Sequence, residues 1–312
     1  MLTLGGGSIT DTVKIVNLCL ANNAKTYDDL ERLRAIPLGN GDRRSPPYAI
    51  PPQIPIICIP TTLSAGEYSG YAGGTDPRTL QKKSFHHFGV IPAVVILDPK
   101  LTCTTPEWAW ISTGVRAIDH CVETLGSFNS VPEADDAAAK GLALLLPSLL
   151  RTKRDPSDLS ARLQSQLGAN VAMDPICRGI AMGASHAIGH QLGPFGVGHG
   201  QTSCILCPAV MKFNSPVNAK RQSRIHQVIW SDEFIASVLQ SHGLTRESSD
   251  VSSCLDVYFR ELGMPRSLTD VGIQATMFER ISKNALLDFW AKQNPIPLET
   301  EGQVMQILEM VA

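Results

Sequence analysis

The sequence predicts an α/β first part, built on an incomplete Rossmann-like parallel sheet, followed by a larger all-helical domain. Short continuous apolar runs at 54–59 and 93–97 are bounded by proline, which is typical of parallel strands covered on both faces. After residue 100 the composition changes to long Ala-, Leu- and Glu-rich segments with helical periodicity. We therefore expect two domains, 1–100 and 101–312.

The first residues predict a strand, a turn and a helix. Residues 1–4 are apolar, three glycines follow at 5–7, and residues 11–20 carry apolar side chains on one helix face. Ser8 and Asp11 fit a helix start in which the Ser8 hydroxyl caps a backbone N–H. Because glycines let the backbone approach an anion at a helix N-terminus, the turn is a candidate phosphate site, and a plain tight turn is the alternative.

A second loop has a comparable composition. Residues 60–67 (P-T-T-L-S-A-G-E) follow the predicted strand at 54–59, so they would line a nucleotide cleft at its carboxyl end, with an ordinary polar loop as the alternative. The Pro-, Gly- and charge-rich stretch 26–52 predicts a loop. Helices are predicted at 106–128, 133–150, 157–173, 178–192, 224–242, 251–262, 278–291 and from 301 to the end.

Composition argues against several functional classes. A net charge of −2 over 312 residues gives no reason to expect nucleic-acid or membrane partners. No apolar run approaches the roughly 20 residues that span a bilayer, and the first residues do not resemble a signal peptide. The 8 cysteines, including the formal C-x-x-C pair Cys204 and Cys207, lie in apolar contexts and predict reduced core residues of a cytoplasmic protein.

Four histidines are the strongest chemical signal. His186 and His190 are four residues apart, so they share one face of a predicted helix. His199 follows a Gly-rich loop, and His120 lies on a separate predicted helix. Histidines gathered from two helices and a loop suit a divalent metal site or a proton relay, and hydrogen-bonded structural histidines are the alternative.

Five motifs in the same order resemble those of the iron-containing alcohol dehydrogenase family, over nearly the whole chain. The segment A-I-D-H-C-V-E at 117–123 looks closest to the maleylacetate reductase-like branch and its fungal-type relatives. The five matching segments are G-G-G-S-x-x-D-x-x-K at 5–14, P-T-T with G-E at 60–67, G-x-x-A-x-x-H-x-x-E at 114–123, H-x-x-x-H with H-G at 186–200, and N-P at 294–295.

This resemblance implies a dehydroquinate synthase-like architecture and an NAD(P)-dependent oxidoreductase. A hydride would pass between NAD or NADP and an alcohol, a ketone or a keto acid. His190 would lie beside the nicotinamide and the substrate, in a cleft between the two domains, and would relay a proton together with His186. The implied cofactor-binding residues are Gly5, Gly6, Gly7, Ser8, Asp11, Thr61 and Thr62. The implied ligands of a divalent metal, iron or zinc, are His120, His186 and His199.

One position departs from the family. Metal-dependent members have an acidic ligand four residues before the helix histidine, where this sequence has Arg116. Arginine cannot ligate a cation and repels one at low dielectric, and Asp119 points about 100° away from His120 around the helix. Three histidines can still hold zinc, as in carbonic anhydrase. We place Arg116 among the catalytic residues, in contact with a substrate carboxylate; an ion pair with Glu123 or another nearby acid is the alternative.

The position of the first motif is a second departure. In the family G-G-G-S lies well inside the nucleotide domain, whereas here it begins at residue 5. We expect an N-terminally truncated chain with exposed strand edges and weak cofactor binding. A non-catalytic remnant is therefore one alternative, and a dehydroquinate synthase-like lyase is a second, which the H-x-x-x-H…H-G pattern disfavours. The sequence leaves the substrate and the oligomeric state open; a homodimer is compatible with it.

Overall fold

The chain forms two compact units, Met1–Thr105 and Pro106–Ala312. The first contains a small parallel sheet with helices, and the second is helical, which confirms the predicted fold class. The computed structural model describes residues 1–38, 43–76, 78 and 81–312. The elements of the first unit are β1 (Leu2–Gly5), α1 (Gly7–Ala21), α2 (Tyr27–Arg32), β2 (Ile36–Pro37), β3 (Arg43–Arg44), β4 (Ile57–Pro60), β5 (Tyr71–Asp76), β6 (Gln81–His86), β7 (Val94–Val95) and α3 (Pro99–Thr102).

Three parallel strands form the central sheet, in the order β1-β4-β7. Thr3 of β1 and Cys58 of β4 are buried, whereas Leu2 and Leu4 are exposed. The apolar runs at 54–59 and 93–97 predicted strands covered on both faces, which is wrong, because Ile57 of β4 and Val94 of β7 are also exposed. A buried cluster of this unit packs α1 against β6 and the loops around them; its members are Leu18, Leu33, Phe85 and Val90.

Helix α1 begins directly behind the glycine turn. Gly6 is its N-cap residue, and no side chain caps the first turn. The predicted Ser8 cap is wrong, because the N-cap is Gly6, two residues earlier, which leaves the Ser8 side chain exposed inside the first turn. Asp11 instead accepts a hydrogen bond from the backbone N–H of Gly73 at 3.0 Å. The first-turn N–H groups of α1 thus lack a side-chain cap.

The stretch 26–52, predicted as a loop, contains regular structure. Thr26 and Asp29 form a reciprocal capping box that starts α2, and β2 pairs with β3 in an antiparallel hairpin. Residues 39–42 of this stretch lie outside the described residues. A second antiparallel hairpin, β5 with β6, was not predicted, because its strands are too polar to show an apolar alternation.

The second unit is built from long helices. Its centre is occupied by α4, which is buried on all sides from Trp110 to Gly126 apart from Thr113. A helix that is enclosed by other helices must place its polar residues in the interior, where they need partners. The helices of this unit are α4 (Glu107–Gly126), α5 (Pro132–Arg154), α6 (Leu159–Cys177), α7 (Ala184–Leu192), α8 (His199–Ser231), α9 (Glu233–Ser241), α10 (Val251–Glu261), α11 (Phe278–Ala285) and α12 (Glu301–Glu309).

Two predicted helices have different bounds. The helix expected from residue 178 begins only at Ala184, because Gly179 adopts a left-handed φ of +83° and ends the preceding helix. The helix expected from 224 is the second half of α8, a 33-residue helix that is kinked at Asn218, two residues after Pro216. His199 therefore opens a helix and does not belong to a loop. Among the described residues, no helix has the length and apolar character to cross a bilayer.

We predict that Gly200→Ala destabilises the helical unit. A Cβ at this position would lie 2.5 Å from the backbone oxygen of Ser112, so α8 and α4 would have to move apart. Overpacking of this kind costs about 1–3 kcal/mol of unfolding free energy. Urea unfolding measures the change.

Gly302→Ala is the matched control for this substitution. Gly302 also lies in a helix, and the nearest atom to its added Cβ is Thr300 Oγ1 at 3.9 Å. Here alanine should stabilise the protein by about 0.5–1 kcal/mol through helix propensity. Equal effects of the two substitutions would contradict the proposed close approach at Gly200.

Candidate functional site

The glycine turn and the P-T-T loop meet within the first unit. They follow β1 and β4, which pair in parallel up to Gly5 and Pro60, and the N–H of Thr61 donates to the oxygen of Gly5 at 3.0 Å. A Cβ on Gly6 would lie 2.9 Å from Thr62 Cγ2. The predicted cofactor residues of the two loops are therefore neighbours at the carboxyl edge of the sheet.

Two charged residues of the same motifs are buried behind these loops. The Lys14 ammonium is fully buried and donates to three backbone oxygens, those of Gly66, Ser69 and Tyr71. Glu67 is also buried, and burial raises the pKa of its carboxyl to about 7. Lys14 thus ties α1 to the segment that follows the P-T-T loop, which is a structural role.

The helical unit gathers the other predicted residues. Helix α4 carries Arg116 and His120, and with them Asp119 and Glu123, on buried positions that span about two helical turns. Helix α7 carries His186 and His190, and α8 begins with His199. The imidazole rings of His120 and His186 are 5.0 Å apart, and those of His190 and His199 lie parallel at 5.8 Å. The four histidines therefore form two ring pairs that share α7.

Glu123 anchors the start of α7. Its carboxylate accepts hydrogen bonds from the backbone N–H groups of Gly183 and Ser185, each at 2.8 Å, and contacts Nδ1 of His186 at 2.7 Å. A Cβ on Gly183 would approach Glu123 Oε1 to 3.0 Å, so glycine allows this contact. Negative charge at a helix N-terminus is also favoured by the helix dipole. The Asn294 side chain accepts from the N–H of Ala184 in the same turn.

His186 is a neutral ring whose Nδ1 lies against the Glu123 carboxyl. Burial and the nearby Asp119 raise the pKa of that carboxyl to about 8. When Glu123 is ionised, Nδ1 of His186 carries the hydrogen and Nε2 the lone pair. Burial lowers the pKa of His186 well below its usual value, and the positive charge of Arg116 lowers it further. The same two causes lower the pKa of His120 to about 3. Among the described residues, His186 Nε2 and His120 Nδ1 have no hydrogen-bond partner.

His190 has a different environment. Its Nδ1 contacts Asp288 Oδ2 at 2.8 Å, and its ring lies 5.2 Å from the ring of Trp290, which is also 5.5 Å from the ring of His186. The His190 side chain is partly exposed. Sequence reasoning missed Asp288 and Trp290, which follow α11 in a short 3₁₀ segment. Asp288 lies 98 residues after His190, so no local pattern links the two. It supplies a carboxylate partner of the kind that a relay histidine needs.

Arg116 is buried in the same cluster. Its guanidinium donates to Ser203 Oγ at 3.0 Å, and Ser203 Oγ in turn donates to Asp119 Oδ2 at 2.6 Å. Ser185 Oγ donates to the same oxygen of Asp119. Within the described residues, Arg116 forms no ion pair within 4.0 Å, so the alternative of a direct pair with Glu123 is wrong; its link to an acid runs through a hydroxyl. Burial lowers the pKa of Arg116 to about 10, which leaves the group charged at neutral pH.

These residues do not fit a divalent cation. Asp119, Glu123 and His186 each bring a donor atom within 4.8 Å of the others, but both Glu123 oxygens and His186 Nδ1 already hold the hydrogen bonds that orient α7. The predicted histidine set lies beside a charged guanidinium instead of a carboxylate ligand. At an effective dielectric constant of about 20, a dication about 6 Å from a guanidinium is repelled by about 5 kcal/mol.

Comparison with known proteins identifies relatives along the entire chain. Residues 1–99 match the family "Iron-containing alcohol dehydrogenase", and residues 110–312 match "Fe-containing alcohol dehydrogenase family, C-terminal". The chain is 37% identical over 331 residues to Dehydrogenase FUM7 of Gibberella moniliformis, an alignment that covers 100% of this chain and 77% of the relative.

Two solved structures illustrate the similarity in fold. The alcohol dehydrogenase of Oenococcus oeni superposes with a TM-score of 0.82 at 24% identity, covering 100% of this chain and 76% of that one. Maleylacetate reductase of a Rhizobium species superposes with a TM-score of 0.75 at 21% identity, covering 99% of this chain and 73% of that one.

We predict that Glu67→Gln changes how stability depends on pH. The folded state, in which the pKa is about 7, keeps the Glu67 proton between about pH 4.5 and 7, whereas the unfolded state loses it. The unfolding free energy of the wild type therefore falls as pH rises through this window. Glutamine carries no charge, so the variant should be more stable than the wild type by up to about 3 kcal/mol at pH 8, with a smaller difference at pH 5.

Urea unfolding at both pH values tests this prediction. Glu31→Gln is the control in the same unit, because Glu31 is exposed and a hydrogen bond from Arg34 lowers its pKa. That variant should gain no stability at pH 8. If Glu67→Gln and the wild type show the same pH dependence, the carboxyl of Glu67 does not titrate in the expected range.

Proposed function

Because this chain belongs to the iron-containing alcohol dehydrogenase family, we propose that it is an NAD(P)-dependent oxidoreductase. The proposed reaction is hydride transfer between the nicotinamide and a small alcohol, ketone or keto acid. The observation that carries the proposal is the fixed His190–Asp288 pair beside a set of buried neutral imidazoles. This arrangement suits the proton transfer that accompanies hydride transfer at an oxygen-bearing carbon.

The two glycine- and hydroxyl-bearing loops of the first unit would hold the cofactor. Bound there, the nicotinamide nucleotide would supply or accept the hydride. The uncapped N-terminus of α1 presents backbone N–H groups to a diphosphate, and Ser8 adds an exposed hydroxyl in the same turn. Thr61 and Thr62 lie beside Gly5 and Gly6 on the adjoining loop. Asp11 supports this region from behind through its bond to Gly73.

His190 would move the proton. With Nδ1–H directed at Asp288, the carboxylate stabilises the protonated ring, and Nε2 carries the proton that can be exchanged. During reduction the protonated ring gives the Nε2 proton to the substrate oxygen, and during oxidation the neutral ring takes a proton from the alcohol. Family membership and this hydrogen bond support the role.

His186 and Arg116 would assist His190 at the reacting oxygen of the substrate. His186 remains neutral and offers the Nε2 lone pair to a hydroxyl group. The fixed charge of Arg116 favours negative charge that develops on an oxygen nearby, and it also suits a substrate carboxylate, which makes a keto acid one candidate substrate. The residues that we assign to the chemistry are His190, His186 and Arg116.

We predict that Ser8→Ala weakens binding of the reduced cofactor about fivefold, because one hydrogen bond to the diphosphate is lost. Titration of NADH or NADPH fluorescence measures the dissociation constant. Ser160→Ala is the matched control, since Ser160 is also an exposed serine in the first turn of a helix, in the other unit. An unchanged dissociation constant for Ser8→Ala would remove Ser8 from the cofactor site.

We predict that His190→Gln lowers kcat for carbonyl reduction by about 10²–10⁴-fold and leaves cofactor affinity unchanged, since the variant cannot transfer a proton. Loss of NADH or NADPH absorbance with maleylacetate or a small ketone as substrate measures the rate. The control is His242→Gln, because His242 also pairs with a carboxylate, Glu261, at 2.8 Å but lies on the surface. Wild-type protein that neither binds cofactor nor reduces any of these substrates would support the non-catalytic alternative.

A further inference from the structure

The position of Arg116 raises the question of which group supplies the positive charge in this site. Arg116 lies one helical turn before His120, is almost completely buried, and is linked through Ser203 to Asp119. We propose that the guanidinium of Arg116 itself takes the place of a divalent cation and excludes one from the histidine cluster. The family is named for iron, so this chain departs from it in the chemistry of the site.

The guanidinium is held in place by a chain of hydrogen bonds. Ser203 of α8 accepts from Arg116 and donates to Asp119, which lies on the same helix as Arg116. Ser185 of α7 donates to the same carboxylate. Three helices therefore hold the guanidinium in one position. It also keeps its positive charge at neutral pH, because arginine does not lose its proton there.

Few donors remain to offset the charge of a metal ion: of the four carboxylate oxygens of Asp119 and Glu123, Asp119 Oδ1 alone has no hydrogen-bond partner among the described residues. Glu123 uses both oxygens to hold the start of α7, and Asp119 Oδ2 accepts from two serine hydroxyls. His120 and His186 bring no negative charge, so only the carboxyl groups of Asp119 and Glu123, which already hold hydrogen bonds, would oppose the charge of a dication added beside the guanidinium.

Zinc binding by the purified full chain tests this inference without cofactor or substrate. The proteins to compare by calorimetry with Zn²⁺, after dialysis against a chelator, are the wild type, Arg116→Asp, Arg116→Asn and the double variant Arg116→Asp with His120→Ala. Arg116→Asp removes the repulsion and adds a carboxylate one turn from His120. We expect it to bind one equivalent at least about 100-fold more tightly than the wild type, and the double variant to lose this gain.

Several outcomes would overturn the inference. Wild-type protein that retains one equivalent of zinc or iron through dialysis, or that binds Zn²⁺ as tightly as Arg116→Asp, would show that Arg116 excludes nothing. If circular dichroism shows that Arg116→Asp does not fold, Arg116→Asn is the deciding variant, because it removes the charge without adding a carboxylate. It should bind Zn²⁺ at least about tenfold more tightly than the wild type. Equal Zn²⁺ affinities of Arg116→Asn and the wild type would then refute the inference.

Failure of this inference can be told apart from failure of the proposed function. Both concern the same site, but zinc binding tests the first and hydride transfer tests the second. Failure of hydride transfer with metal exclusion intact would refute only the proposed activity. Hydride transfer that a chelator abolishes and Zn²⁺ restores would refute only the exclusion of a metal.

Discussion

The helical unit depends on the contact between the Glu123 carboxylate and the first turn of α7. One buried side chain accepts two backbone N–H groups and contacts Nδ1 of His186, so the position of α7, its first-turn donors and the placement of the His186 ring are set together. An interior carboxylate tolerates burial only with such partners. The glycine at 183 permits the approach. Without this contact, the imidazoles of α7 would have no defined orientation toward α4.

The charged residues of α4 need partners inside the helical unit for the same reason. Since α4 is enclosed, Arg116 and Asp119 cannot reach bulk water and must be satisfied locally, through Ser185 and Ser203. The resulting network contains the Arg116 guanidinium, two buried carboxyl groups whose pKa values burial raises, and neutral histidines. Electrostatic interactions are strong at such depth, so the charge of Arg116 acts on every group of this cluster.

Much of this could be predicted from the sequence, and the failures have identifiable causes. The fold class followed from two apolar runs and long helical segments, and the four histidines followed from their spacing. Helix bounds were less predictable, because Gly179 and Asn218 end or kink helices whose composition continues unchanged. The Ser8 cap was wrong because the backbone of Gly6 already begins the helix. Asp288 could not be predicted as a partner, since it lies 98 residues after His190.

The sequence by itself determined which chemical groups are present, where the glycines allow close backbone approach, and that an arginine lies one turn before His120. These are local properties, and local spacing is enough to assign them. The tertiary structure decided the partners: Glu123 for His186, Asp288 for His190, and a serine instead of an acid for Arg116. Partnership depends on which helices pack together, and no local pattern specifies contacts between residues far apart in the chain.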